Sequence, residues 1–213
     1  MALLIDNTGM ISDPRVRPMR FLQIERGPLT QVKGIVVHQT DASTKEATFQ
    51  SYQRRNAMGA HFLIDKDGMI YETASLHRVT NHIGALRPRC LAELSCKPAD
   101  FAGVRKGGPM HRIEIRKPLP LRYPVNAEAV GIELVGRSSL PPGFTPPPQW
   151  RDASAEKLRG EFGIYEQPTA PQNHSLKWLV NELVDALQVS RAEVFRHPTV
   201  SFKNRSEAGG ATW

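Results

Sequence analysis

Residues 34–38 read Gly-Ile-Val-Val-His, a short apolar run that ends in a histidine. Such a run is typical of a buried strand, and it would place the imidazole of His38 at the end of that strand. A second run, Val194–His197, also ends in a histidine, and Glu207 follows ten residues later. Two imidazoles and one carboxylate suit a catalytic zinc ion, which usually takes three protein ligands and leaves a fourth position to water. Alternatively, each histidine is an ordinary strand-end residue with satisfied hydrogen bonds.

Length and composition predict one domain of ordinary to large size. The chain has 213 residues, of which 40% are hydrophobic and 23% are charged, so it is able to bury a core. No apolar run approaches the roughly 20 residues needed to cross a bilayer, so no membrane insertion is expected. The first residues, Met1–Asp6, carry no basic segment and too short an apolar stretch for a signal peptide. We therefore expect synthesis in the cytoplasm without a signal peptide, and another export route if the protein acts elsewhere.

The chain is basic, with a net charge of +7 and a pI of about 9.7. A basic surface raises the local concentration of anionic partners. Nucleic acid is not expected, because the sequence carries no helix-turn-helix signature, RNA-binding signature or basic motif interleaved with aromatic residues. Another anionic polymer, or a solvated surface without a partner, fits the charge equally well.

A long segment, Leu86–Pro124, is rich in proline, glycine and arginine and contains both cysteines. We predict an irregular insertion here, which is either a functional lid or binding loop or a passive surface excursion. Cys90 and Cys96 are too few for a disulfide framework and lack CxxC spacing. They either form one disulfide in an oxidising compartment or remain free thiols.

The first half of the chain contains three further signals. Residues 1–32 mix apolar and polar residues with three prolines, which predicts an irregular arm packed on the domain that follows. Ser43 and Glu46 form a capping box, which predicts a helix from Ser43 to about Arg55. Residues 59–72 contain two apolar runs around an Asp-Lys-Asp-Gly turn, which predicts a β-hairpin.

The second half adds a strand and a long helix. Val130–Val135 is an apolar run with Glu133 in its middle, typical of a buried strand. Residues 172–187 carry an apolar stripe at helical spacing, with Trp178 between stripe positions. The order of these elements predicts an α/β fold, a mixed central β-sheet covered by helices.

Several of these motifs, taken together, resemble the zinc-dependent N-acetylmuramoyl-L-alanine amidases of the amidase-2 group. This group includes the peptidoglycan recognition proteins, peptidoglycan-recycling amidases and T7-type phage lysozyme. The resemblance covers about residues 32–213 apart from the insertion, so it divides the chain into the arm, 1–32, and a catalytic domain, 33–213, with an insertion at about 86–124. The matching motifs are Val36–Thr40, His61–Gly68, Asn81–Gly84, Gly131–Leu134 and Ser206–Gly209.

The resemblance also implies a role for particular residues. The zinc ligands would be His38, His197 and Glu207, although the family usually has aspartate or cysteine at the third position. Glu133 would be the general base, because it matches a glutamate of the recycling amidases. Arg205 stands where the family has a lysine, and its cation would stabilise the oxyanion of the reaction.

Three further positions follow from the same comparison. His82 would line the substrate groove, whereas His61 is expected to be structural. Ala60 stands where phage lysozyme relatives have a tyrosine just before the His-Phe pair, so no tyrosine role is expected at that position.

The implied activity is hydrolysis of the amide between N-acetylmuramic acid and L-alanine of the stem peptide, with peptidoglycan or a muropeptide as the substrate. A non-catalytic recognition module that binds muropeptide is the alternative. Without a signal peptide, the protein would reach the periplasm or the cell wall as a phage lysin, or as an antibacterial effector delivered by a secretion system and paired with an immunity protein. A cytosolic recycling amidase is the third setting.

Overall fold

The computed structural model describes residues 3–213, which form three β-sheets surrounded by helices. The strands are β1 (Val16–Pro18), β2 (Glu25–Pro28), β3 (Gly34–Gln39), β4 (Phe62–Ile64), β5 (Ile70–Glu72), β6 (Arg78–Thr80), β7 (Ala129–Leu134), β8 (Ser138–Ser139), β9 (Ile164–Tyr165) and β10 (Val194–Arg196). The α-helices are α1 (Lys45–Tyr52), α2 (Arg89–Ala92), α3 (Gly108–Glu114), α4 (Ala155–Phe162), α5 (Ala170–Leu187) and α6 (His197–Val200).

The largest sheet has six strands in the order β1-β5-β4-β7-β3-β10. All neighbouring strands are parallel except β4 and β5, which form the predicted antiparallel hairpin. Two small antiparallel sheets, β2 with β6 and β8 with β9, lie beside it. The predicted fold class, a mixed sheet covered by helices, is confirmed.

The helix α5 packs on one face of this sheet and forms the main core. Its stripe residues Leu176, Leu179, Val180 and Leu183 are fully buried and cluster with the apolar side chains of the central strands. Burying a side chain of this kind contributes about 1.5–3 kcal/mol. Trp178 is half-buried between the stripe positions, and the guanidinium of Arg15 lies 3.8 Å from its ring centroid. Within residues 3–213, no helix is both long and apolar enough for a bilayer crossing.

Alternation along the strands sends the polar residues of β3 and β7 to the opposite face. Ile35 and Val37 of β3 belong to the core under α5, so His38 between Val37 and Gln39 points the other way. In β7 the core residues are Val130, Ile132 and Leu134, which leaves Glu133 on the same side as His38. The functional side chains therefore lie on the sheet face that α5 does not cover.

Two predicted boundaries were wrong by one residue, and α1 ends at Tyr52 rather than at about Arg55. Thr44, not Ser43, caps α1: its hydroxyl accepts a hydrogen bond from the amide of Ala47, at 3.3 Å. The last strand ends at Arg196, and His197 begins the short helix α6. Pro198 explains the second change, since its missing N–H and fixed φ suit the first turn of a helix rather than a strand.

The N-terminal residues are more regular than predicted. β1 pairs in parallel with β5 and thus adds an edge strand to the main sheet, and β2 pairs with β6. β1 could not be predicted from the sequence, because it has only three residues and ends in Pro18. Such a short segment shows no alternation of apolar and polar residues. Glu72 also holds the N-terminal residues against the sheet, because its Oε2 accepts a hydrogen bond from the amide of Ile11 at 2.8 Å.

The insertion, 86–124, is also less irregular than predicted. It contains α2, a 3-10 helix at Pro98–Phe101, and α3. Cys90 and Cys96, whose pairing the sequence left open, form a disulfide with their Cα atoms 5.2 Å apart. A bond between residues this close in sequence closes one small loop at the start of the insertion.

Glu72 yields a prediction about stability. Burial raises the pKa of this carboxyl to about 7 from 4.5, and its Oε1 has no hydrogen-bond partner among the described residues. The folded state therefore binds more protons, so the free energy of unfolding falls as pH rises from 4.5 through 7. Glu72→Gln should remove this loss and stabilise the protein by about 3 kcal/mol above pH 7.

Denaturant titrations at pH 4.5 and pH 8 measure this effect. The stabilisation by Glu72→Gln should grow with pH, whereas Glu161→Gln, at an exposed position on α4, should show no such growth. Equal differences from wild type at both pH values would contradict the ionisation argument.

Candidate metal centre and substrate pocket

The pairing of β3 with β7 positions two of the predicted site residues. His38 and Glu133 are direct partners in the parallel register, and Leu63 of β4 lies opposite Glu133 on the other side. Both side chains share the face away from α5. Since both strands are central in the sheet, the distance between the imidazole and the carboxyl is fixed by backbone pairing.

His197 and Glu207 complete a cluster of three metal-binding side chains around His38. β10 pairs in parallel with β3 and delivers His197 beside His38, with the two ring centroids 4.1 Å apart. Nδ1 of His197 lies 2.7 Å from Oε1 of Glu207, and Nδ1 of His38 lies 3.7 Å from the same oxygen. One ligand atom from each residue lies within 4.8 Å of the others, and all three residues are buried.

The outer nitrogens of both histidines are held by neighbouring groups. Nε2 of His38 lies 2.9 Å from Nδ1 of His82, and Nε2 of His197 lies 2.8 Å from the carbonyl oxygen of Ile83. Nε2 of each histidine thus points away from the cluster, and each Nδ1 faces Glu207. Ring orientation by an outer hydrogen bond is typical of histidines that bind metals.

The position of the His82 ring against the sheet depends on the small size of Gly131. A Cβ added to Gly131 would lie only 2.9 Å from Cγ and Nδ1 of His82, so a larger residue in β7 would displace that ring. His61 contacts the same strand, because its Nδ1 accepts a hydrogen bond from the amide of Gly131. His61 is fully buried and also contacts the carbonyl oxygen of Arg78, at 2.9 Å, which supports a structural role.

The charge states of the cluster suit a cation. Burial, together with the nearby His197, lowers the pKa of His38 to about 3, so this imidazole is neutral. Burial alone would raise the pKa of Glu207, but the hydrogen bond with His197 and the nearby imidazole of His38 lower it to about 2. Neutral imidazoles and an ionised carboxylate are the forms that bind zinc. In this arrangement a metal cation would replace the proton between His197 and Glu207.

Glu133 differs from Glu207 in its surroundings. Burial, with a smaller contribution from the Glu207 carboxylate, raises the pKa of Glu133 to about 8. Its Oε2 is buried and has no hydrogen-bond partner among the described residues. Such an orphaned oxygen is costly unless a proton, water or cation meets it.

These residues line one pocket of about 790 Å³. Lys203, which no sequence motif identified, lines it too, and its ammonium lowers the pKa of Glu133. Tyr52 and Tyr165 also line the pocket. The amide of Ala60 donates to the hydroxyl of Tyr52 at 3.4 Å, so a tyrosine reaches this region from α1 although position 60 carries none.

Five of the six residues selected from the sequence line this pocket, and Arg205 does not. The five are His38, His82, Glu133, His197 and Glu207. Arg205 is exposed and lines a neighbouring depression. The difference arises in the loop between His197 and Glu207, where Lys203 and Asn204 turn toward the pocket and Arg205 turns away.

The donor set predicts metal binding that depends on the buried histidines. Wild-type protein should retain one zinc ion per chain after dialysis. His38→Ala and His197→Ala should each lose the ion, because each variant keeps only two of the three protein ligands that a zinc site usually needs. Zinc should also raise the melting temperature of the wild type but not that of these two variants. His174→Ala, at an exposed position on α5, is the matched control. Equal zinc content in His38→Ala and wild type, by elemental analysis, would contradict this assignment.

Several solved structures are similar to this chain. AmpD, solved as a selenomethionine derivative, is 14% identical with a TM-score of 0.51, over 93% of this chain and 88% of that chain. The amidase LysCS of Clostridium intestinale URNW is 18% identical, with a TM-score of 0.45 over 89% and 84%. Drosophila peptidoglycan recognition protein SD is 14% identical, with a TM-score of 0.40 over 88% and 86%. At such identities, the likeness to AmpD shows a shared fold alone.

The sequence itself identifies the family. No curated protein matches the chain. The family model Amidase_2, described as N-acetylmuramoyl-L-alanine amidase, matches residues 28–210, which is most of the chain. This protein therefore belongs to the Amidase_2 family of N-acetylmuramoyl-L-alanine amidases.

Proposed function

We propose that this protein is a zinc-dependent N-acetylmuramoyl-L-alanine amidase that cuts the amide between N-acetylmuramic acid and L-alanine in peptidoglycan. One observation carries the proposal: Nδ1 of His38, Nδ1 of His197 and a carboxylate oxygen of Glu207 converge in a pocket that also holds the partnerless carboxyl of Glu133. A binding module has no need of this donor set, which favours catalysis over recognition alone.

His38, His197 and Glu207 would hold the zinc ion. When bound, zinc supplies Lewis acidity, which polarises a carbonyl group and makes water acidic near neutral pH. Family members usually place aspartate or cysteine at the third ligand position, but Glu207 is oriented by the hydrogen bond from His197 and so presents its oxygen to both imidazoles.

Glu133 would carry the proton through the reaction. In its ionised form, Glu133 takes a proton from the attacking water, whose oxygen bonds to the carbonyl carbon of the scissile amide. The C–N bond then breaks, and Glu133 returns the proton to the nitrogen of L-alanine, which leaves as an amine. The missing hydrogen-bond partner at Oε2 leaves that oxygen available for both transfers.

A cation is needed where negative charge develops on the carbonyl oxygen. The family resemblance assigns this role to Arg205, but Arg205 lines the neighbouring depression. Lys203 lines the pocket and acts electrostatically on Glu133 and His38. We therefore assign the stabilising charge to Lys203.

His82 serves the ligand set in this proposal. Its Nδ1 meets Nε2 of His38 at 2.9 Å, so its principal role is to orient a ligand. Because its ring also lines the pocket, contact with substrate stays a prediction.

The Cys90–Cys96 disulfide supports a site of action outside the cytoplasm, since disulfides persist in oxidising compartments. We therefore favour a cell-wall lysin or an antibacterial effector delivered to the periplasm over cytosolic recycling. An effector would require an immunity protein in the producing cell. Activity on intact sacculi, compared with small soluble muropeptides, separates these settings.

The proposed chemistry is tested by the products of digested sacculi. Wild-type protein should release stem peptides with a free L-alanine amine, detected by mass spectrometry. Glu133→Gln should bind zinc normally but lower kcat by about 10²–10⁴-fold, because it removes the proton acceptor. Asp185→Asn, an exposed change on α5, should leave kcat unchanged. If the folded, zinc-loaded wild type binds muropeptide without cutting it, the recognition alternative replaces this proposal.

Lys203 and Arg205 give a direct comparison of two cations. We expect Lys203→Ala to lower kcat about a hundredfold with a smaller change in KM, because its charge acts on the transition state. Lys203→Arg should recover part of that loss, and Arg205→Ala should cost much less. If the two alanine variants rank in the opposite order, the oxyanion role belongs to Arg205.

A further inference from the structure

A second depression lies beside the substrate pocket, and three arginines line it. Its volume is about 440 Å³, and Arg87, Arg196 and Arg205 surround it together with Pro198 and Thr199. Glu207 lines both this depression and the substrate pocket. We call it the three-arginine depression. The proposed reaction makes no use of it.

Two of these guanidinium groups are held in place without an acidic partner. Nη1 of Arg87 donates to the carbonyl oxygen of Pro198 at 2.7 Å, and its Cζ lies 5.9 Å from the ring centroid of Phe202. Nη2 of Arg196 donates to the carbonyl oxygen of Ala211 at 2.8 Å, and its Cζ lies 5.4 Å from the ring centroid of Trp213. Each cation is thus oriented by one backbone acceptor and one aromatic ring.

Other arginines in this region are neutralised. Arg89 forms a bidentate ion pair with Glu193, and Arg122 forms a bidentate ion pair with Glu128. Among the described residues, by contrast, no carboxylate oxygen lies within 4.0 Å of the guanidinium nitrogens of Arg87, Arg196 or Arg205. Their charges and most of their N–H donors remain available to a ligand.

The charge of the depression favours an anion with more than one negative charge. Three arginines face one acid, Glu207, whose carboxylate is already engaged by His197. The adjoining insertion, 86–124, adds to the positive field: besides Arg87 and the two paired arginines, Arg89 and Arg122, it contains six Lys and Arg residues against three Asp and Glu residues. A phosphate monoester carries about −1.5 to −2 charges at pH 7 and offers several strong acceptor oxygens, whereas a carboxylate carries one charge.

We propose that the three-arginine depression binds a phosphate group. The group would be either a phosphate monoester on a polymer of the cell envelope or free phosphate. In the first case, the depression anchors the protein beside the bond that it cuts, and this role rests on the proposed amidase function. Phosphate binding itself does not depend on that function.

Titration with inorganic phosphate, followed by NMR or calorimetry, tests the site directly. The wild type should bind one phosphate per chain, with and without zinc, and more weakly as salt rises. Arg87→Gln/Arg196→Gln should weaken binding about tenfold or more, since two charge-assisted hydrogen-bonding groups are lost. Glutamine retains a donor for the backbone carbonyls, and an unchanged melting temperature would show that the variant folds.

Arg105→Gln is the matched control, because Arg105 is an exposed arginine of the same insertion that lines neither cavity. It should bind phosphate as the wild type does. Equal phosphate affinity in the double variant and wild type would overturn the site. Acetate binding as tight as phosphate binding would overturn the choice of phosphate.

Sedimentation with sacculi identifies the source of the phosphate. If a polymer is the ligand, the double variant should bind less than wild type to sacculi that carry phosphate polymer, and equally to sacculi stripped of it. If the double variant binds as well as the wild type to both preparations of sacculi, the ligand of the site is instead free phosphate. Release of stem peptides from stripped sacculi, measured in parallel, tests the amidase activity alone. A failure of phosphate binding is therefore distinguishable from a failure of the proposed amidase function.

Discussion

The buried carboxylate of Glu207 is the constraint on which the site depends. A charge at 6% exposure is unfavourable unless opposite charge or hydrogen-bond donors meet it, and here two imidazoles turn their Nδ1 atoms toward it. Each imidazole is in turn held through Nε2, by His82 in one case and by the carbonyl of Ile83 in the other. The protein thus maintains an arrangement that a divalent cation would satisfy better than a proton.

The central sheet makes this arrangement possible. β7, β3 and β10 are parallel neighbours, so residues near the carboxyl ends of these strands gather at one edge. His38 and Glu133 are direct register partners, and His197 follows the last residue of β10. A shift of one residue in the pairing of β7 would turn Glu133 into the core under α5. The burial that stabilises the fold therefore also fixes the spacing between the ligands and the proposed base.

The fold could be predicted because its signals are local, whereas the roles expected of Glu133, Arg205 and His82 came from the family resemblance. The apolar runs of β3 and β7, the hairpin turn and the stripe of α5 each follow from a few neighbouring residues. The path of the loop from Ser201 to Glu207 does not. Asn204 and Ser206 bind the carbonyl oxygen of Gly163, more than 40 positions away, and these contacts accompany the turn of Lys203 toward the pocket. A three-residue strand such as β1 is equally hard to predict from the sequence, since it is defined by its pairing with the distant strand β5.

Anomalous diffraction at the zinc edge, from crystals of the zinc-loaded protein, tests the central claim most directly. The account predicts one strong peak per chain, within bonding distance of Nδ1 of His38, Nδ1 of His197 and a carboxylate oxygen of Glu207. A peak on other side chains, or none at full zinc saturation, would contradict the proposed metal centre.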